Sequence, residues 1–420
     1  MKLTFLMRDL LLILLLASLK SFGQETIELA NKVYDPHIKT VQVHPRGVNS
    51  NDQLLSPVVT KGQPFILEFD ELFNDAYTYQ VKYIRCEADW SKSLLSDLQF
   101  LKTYNEFTIE NYDYSFNTLT PYVHYKVVLP SPILSGNYVL VVYADGDPND
   151  VIITHRFMVF DNLVNFTTEF GSPIINKSSP YNQNLQFEVN YSGMEIQDPN
   201  NQVSVTILQN QRWDNAKYEI KPTFIREGDK KLEYQYFTNE TTFPGGNEFR
   251  YFDMRSLKYF GERVKTVHFE KDKIYGWVDD DKSRANLAYT TEQMDLNGEY
   301  VIDNIEGKNP EIENDYAKMN FTLESEKING KVYLAGELTN WELTKDTELT
   351  YDESTHSYKG SLVLKQGWYN YEYLVVSNNL SPNYFEGNWS ETRNQYEIIV
   401  YYRPFDLGSD LIIGYLNLNQ

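Results

Sequence analysis

Residues 76–129 read AYTYQVKYIRCEADWSKSLLSDLQFLKTYNEFTIENYDYSFNTLTPYVHYKVVL. Both flanks alternate. Tyr77, Tyr79, Val81 and Tyr83 are spaced by Thr78, Gln80 and Lys82, and Tyr125, Val127 and Leu129 by Lys126 and Val128. Period-two alternation describes strands with one packed face and one more exposed face. Between the flanks, Tyr104, Phe107, Tyr112, Tyr114 and Phe116 sit among Asn, Asp and Glu. Ser91 is placed to cap a short helical turn carrying Leu94, Leu95 and Leu98. The composition suits shape and stacking rather than catalysis. Trp90, Tyr114 and Phe116 are therefore the candidate partner-binding residues, because large aromatics concentrate in interaction hot spots. A plain core position is equally open for Trp90.

The same alternation continues on both sides. Phe65, Leu67 and Phe69 form a half-buried strand after the turn Lys61-Gly62-Gln63-Pro64, and Tyr138–Tyr143 is nearly all apolar, as in a central strand. Asp145-Gly146 turns the chain into Val151–Phe160. A first module is assigned to residues 24–161. Residues 162–308 form a second, with Leu185, Phe187, Val189 and Tyr191 in one strand and Val203, Val205 and Ile207 in another. After a polar linker, residues 309–403 form a third. It carries Lys331–Gly336, the turn Asn340-Trp341, and the alternating Tyr369, Tyr371 and Tyr373. Residues 404–420 read as a last strand or strap. With 33 Tyr and 23 Phe, the expected fold is all-β, with tandem immunoglobulin-like β-sandwich domains.

Residues 1–23 read as a secretory signal peptide. Lys2 and Arg8 precede the short apolar run Leu10–Ala17, and Ser21-Phe22-Gly23 offers small residues before Gln24. The run is too short to span a bilayer, and no cysteine follows the cleavage point to take a lipid. An exported protein without direct membrane insertion is expected. The net charge is −21, and losing residues 1–23, with three basic groups and one acid, makes it more negative. Such a balance disfavours nucleic acid and anionic lipid, which are held through Lys and Arg. A single cysteine forms no internal disulfide. Cys86 is either a redox sensor or a small buried packing residue, and the lack of a basic cluster around it in sequence favours packing.

No nucleophile elbow, His-Glu-x-x-His or phosphate-binding loop is present. The six histidines have no paired spacing, and the loop Asp145–Arg156 lacks both the glycine and the closing glutamate of a calcium hand. The expectation is no enzyme, no metal, no cofactor and no small-molecule substrate.

Several spaced motifs carry a resemblance. They are Cys86-x-x-Asp89-Trp90, Asn111-Tyr112, Ser115-Phe116-Asn117-Thr118, His124-Tyr125, Ser135-Gly136-Asn137-Tyr138, Tyr259-Phe260-Gly261-Glu262-Arg263 and Leu364-Lys365-Gln366-Gly367. Together the set resembles the plug protein family of the bacterial type IX secretion system. The resemblance implies a periplasmic protein, associated with the outer membrane through a partner. That partner is the translocon barrel, whose periplasmic opening the plug seals when the channel is idle. The third module also resembles an early-set domain of the glycogen-binding type. In such domains a Trp at the position of Trp341 stacks on sugar beside a Lys and a second Trp. Here Glu372 takes the Lys position, and the loop Ser377–Pro382 has no Trp. Glycan binding by the third module is the alternative reading.

Overall fold

Strand Gly136–Ala144 is buried along its whole length, as its unbroken apolar run requires. In the computed structural model, which describes residues 27–47, 50–171, 181–236, 238–291 and 295–419, it lies at the centre of one sheet of the first module. Tyr79–Cys86 and Val151–Phe160 flank it, with Lys32–Val33 and Phe107–Ile109 at the edges and Val58–Thr60 parallel to Val151–Phe160. The facing sheet runs Ile38–Pro45, Phe65–Glu71, Val123–Leu129, Tyr112–Tyr114. Inward residues of the two sheets meet in an aromatic core. Phe69 stacks on Tyr125 at 5.0 Å between centroids, and Phe65 lies 4.6 Å from Phe157. The turn at Asp145-Gly146 forms as expected, with both residues at positive φ. The expected signal peptide, residues 1–23, lies outside the described residues.

The helical turn differs from expectation. Ser91 does not cap it; its backbone N–H and hydroxyl both turn to Asp89. The helix is Asp97–Phe100, begun by Ser96, whose backbone N–H donates to Gln99 Oε1 at 2.9 Å. One turn can bury only one side, and Phe100 takes it, leaving Leu94 and Leu98 exposed.

The second module has one sheet of Asn165–Gly171, Asn182–Asn190, Lys231–Tyr234 and Phe224–Arg226, with Thr242–Pro244 paired to Asn182–Asn190. Its other sheet is Arg212–Ile220, Val203–Gln209, Gln395–Tyr402, Leu411–Asn419. Val203 pairs with Tyr402 and Gln209 with Tyr396. The expected boundaries at 308/309 and 403/404 are therefore crossed. The last two strands of the chain complete the second sandwich, and the third module is inserted between Thr242–Pro244 and Gln395–Tyr402. The tail is a strand of this sheet rather than a strap, with Ile412 and Ile413 buried.

The inserted module is a 10-stranded sheet that folds over on itself. Phe252 and Phe321, on strands far apart in the sheet order, meet at 5.6 Å, and Phe321 meets Tyr371 at 5.3 Å. The all-β class holds, and the helices among the described residues are short. Among the described residues no helix is long and apolar enough to cross a membrane.

The modules dock broadly. Val139, Val141 and Met158 of the first pack with Leu208, Ile399, Tyr401 and Ile412 of the second. First and third meet through a buried charged seam described below.

Candidate functional site

Edge strands Phe107–Ile109 and Tyr112–Tyr114 are joined only by Glu110-Asn111. Each pairs with a single neighbouring strand among the described residues. They close one side of the first sandwich with outer backbone edges open. Tyr112 and Tyr114, two residues apart, share a face, and their rings meet edge to face at 5.9 Å. Tyr114 is 53% exposed and Phe116 60%. The exposed carboxylates Glu110 and Asp113 lie on the same segment.

The loop beyond is held firmly. Asn117 adopts φ 59°, a left-handed conformation that Asn tolerates better than most side chains. Phe116 N–H donates to Ile312 O at 2.8 Å, and the N–H groups of Leu119 and Thr120 donate to the Asp315 carboxylate at 2.8 and 3.0 Å. Thr118 Oγ1 donates to Ser115 Oγ at 3.0 Å. The Ser-Phe-Asn-Thr motif is thus a turn whose backbone is tied to the third module while its aromatic ring projects outward. A pre-ordered aromatic face of this kind can bind by stacking with little ordering cost.

Trp90 does not belong to this face. It is 4% exposed, lies edge to face with Trp213 of the second module at 4.8 Å, and carries the Arg156 guanidinium 4.3 Å from its ring. The loop that holds it is clamped from the chain's far end. Ala88 N–H donates to Asp410 Oδ2 at 2.9 Å, and Asp410 N–H to Glu87 Oε2 at 2.8 Å. Trp90 therefore joins two modules, and the expectation of a partner-facing role is corrected. Cys86 is fully buried beside it, and burial pushes its thiol up to about 12.

Trp341 is also taken. The Arg212 guanidinium of the second module lies 4.0 Å from its ring, and Phe249 meets it at 5.8 Å. A Cβ on Gly298 would fall 2.6 Å from the indole, so only glycine fits beneath. Glu372, at the position where a sugar platform has Lys, binds Arg212 at 2.9 Å. The indole is therefore engaged by an internal ion pair, Arg212 with Glu372.

A second cluster was not evident from the sequence. Asp70 in Phe65–Glu71 is 1% exposed. It accepts from Lys365 Nζ at 2.6 Å and Tyr316 OH at 2.6 Å, both of the third module, and faces His124 Nδ1 at 2.7 Å. Burial opposes its charge, but Lys365 and His124 outweigh burial and hold its carboxyl below the usual range. Beside it, burial would raise Glu68, yet His44 and Lys126 bring it to about 2. Asp70, Glu68, His44, His124, Lys126 and Lys365 line a cavity of about 250 Å³. His124 and Lys365 stand within motifs already noted, but no sequence spacing links residues so far apart in the chain.

A third cluster lies where all three modules meet. Glu299, Glu337 and Glu397 line one cavity with Trp90 and Trp213. Burial, then the neighbouring acids Glu337 and Glu397, raise the Glu299 carboxyl, and burial pushes Glu337 up to about 7.

Residues 38–161, the sandwich that carries the aromatic edge, match the family described as Type 9 secretion system plug protein 1st domain. The first module is thus a plug domain of the type 9 secretion system family. A crystal structure of a hypothetical protein from Parabacteroides merdae is similar over 94% of this chain and 100% of that one, at 29% identity and a TM-score of 0.87. No curated protein matches. The plug-family assignment thus rests on the first module, while the likeness in shape extends over the second module and the insertion.

Proposed function

We propose that this chain is a periplasmic gate. It binds the outer-membrane translocon barrel of the type IX system and seals its periplasmic opening when the channel is idle. The observation that carries the reading is the family match of residues 38–161, the same sandwich that presents Tyr112, Tyr114 and Phe116 on an open edge. The mechanism is steric. Three modules locked by buried seams form a stiff body suited to occluding a wide pore, and no chemical step is needed. An exposed aromatic face rimmed by carboxylates suits reversible association, in which a few anchors carry most of the energy.

Deleting the gene is the test. Cells should become permeable to a bulky hydrophilic antibiotic whose target lies in the periplasm, and the leak should vanish when the barrel is deleted too. Unchanged permeability together with arrested secretion would instead make the protein a working part of export.

A further inference from the structure

The cavity between the first and third modules has the donors of a metal site. His124 lies on Val123–Leu129 with its side chain 6% exposed. Its Nδ1 faces Asp70 Oδ1 at 2.7 Å, the geometry in which a metal-binding imidazole donates Nδ1–H to a carboxylate and turns Nε2 to the ion. That nitrogen is buried and has no hydrogen-bond partner. It points at two carboxylates, Glu68 Oε2 and Glu311 Oε2, each at 3.9 Å.

His44 lies on the same cavity. Its Nδ1 is 3.0 Å from Pro45 O and its Nε2 3.5 Å from Glu68 Oε1. Two imidazoles and two carboxylates converge on one cavity. Lys126 supplies the nearest positive charge, with Nζ 2.9 Å from Glu68 Oε2 and 2.6 Å from Glu311 Oε1.

We propose that Glu68, His124 and Glu311 bind a divalent transition ion of the zinc class, with His44 in reach of a fourth position. Two ligands bonded tetrahedrally to zinc are separated by roughly 3.4 Å, so the 3.9 Å gaps close with small side-chain rotations. Asp70 behind His124 is the carboxylate that orients a metal-binding imidazole and fixes its tautomer. Mixed imidazole and carboxylate donors favour zinc over magnesium or calcium, which take oxygen. The histidines are unpaired in sequence; only the pairing of Ile38–Pro45 with Phe65–Glu71, and of Phe65–Glu71 with Val123–Leu129, brings them together.

The ion would tie the modules together. Glu68 and His124 belong to the first module, whereas Glu311 stands in the short helix Pro310–Glu313 before the third module's first long strand. The next residue of that helix, Ile312, holds the backbone of Phe116. Loading the site would stiffen the loop that carries the aromatic face. The Lys126 side chain, 36% exposed, would be displaced toward solvent, since it competes for the same oxygens.

The test is calorimetric titration of tag-free purified protein with zinc chloride, with magnesium and calcium chlorides as controls. One equivalent of zinc should bind and neither control ion should. Glu311→Gln, at a half-exposed position that leaves the core intact, should weaken binding at least about tenfold, and His124→Gln likewise. Lys126→Met should strengthen binding. Zinc should slow amide exchange across residues 115–120 in the parent and not in Glu311→Gln. Replacing the exposed His356 with Gln should change nothing. Absence of zinc binding, or binding that survives both Glu311→Gln and His124→Gln, would overturn the proposal.

Discussion

Lys365 Nζ lies 2.6 Å from Asp70 Oδ2 across the seam between the third and first modules, and both side chains are shut away from solvent. The Lys365 ammonium also sits 4.4 Å from the Tyr122 ring and donates to Glu311 O at 2.6 Å. Removing one partner of a buried pair strands the other charge. Lys365→Met should therefore lower stability by about 3–5 kcal/mol. The double variant Asp70→Asn, Lys365→Met should lose less than the two single losses combined, because the stranded charge is gone. Urea denaturation followed by tryptophan fluorescence measures both. An unchanged midpoint in Lys365→Met would show that the seam does not hold the modules.

Stability should depend on pH through the junction acids. Glu337, raised by burial from 4.5 to about 7, binds its proton more tightly folded than unfolded. The stabilisation is fully present below the unfolded value and is lost as pH rises through about 7. Thermal midpoints should fall between about pH 5 and pH 8. Glu337→Gln should flatten that limb and raise stability at pH 8 by at least about 1 kcal/mol. Glu68 and Glu386, both held at about 2, act in the opposite sense. Their contribution is present above the ordinary carboxylate value and is lost as pH falls toward 2. A Glu337→Gln protein with the parent's pH profile would contradict this account.

Cys86 should react with a thiol reagent only after denaturation. It is fully buried, and burial pushes its thiol up to about 12, so the reactive thiolate is scarce at neutral pH. Fast labelling of the native protein, followed by mass spectrometry, would restore the sensor reading.

Tyr114 and Phe116 should separate binding from folding. Serine at both positions should change stability by no more than about 0.5 kcal/mol, since both rings are exposed. Recovery of the translocon barrel from solubilised outer membrane should drop at least about tenfold if these rings are anchors. Trp90→Ala should behave oppositely, destabilising by about 3–5 kcal/mol through the cavity it leaves. Full recovery of the barrel by the serine variant would remove the aromatic edge from the interface.

Ending the chain at residue 403 should unfold the second module. Strand Leu411–Asn419 covers Gln395–Tyr402 along its length, and Ile412 and Ile413 are buried. Limited proteolysis should then cut rapidly within residues 165–244. Protection equal to that of the full chain would mean that the last strand is dispensable.

The sequence by itself determined the all-β class and several long strands, among them Phe65–Glu71, Tyr79–Cys86, Gly136–Ala144 and Val151–Phe160. These depend on local properties: alternation of period two, turn residues at Asp145-Gly146, and β-branched and aromatic content. The exposure of Tyr114 and Phe116 was also legible, because acids and amides surround them. Alternation records that one face of a strand is covered but not what covers it. Only the tertiary structure placed Gln395–Tyr402 beside Val203–Gln209, across an insertion of about one domain's length. Only the docking of modules buried Trp90 against Trp213, laid Arg212 over Trp341 and set Lys365 on Asp70. The grouping of His44, Glu68, His124 and Glu311 was decided the same way. Each donor reads alone as an ordinary strand or surface residue, and pairing between strands and modules distant in sequence brings them to one cavity.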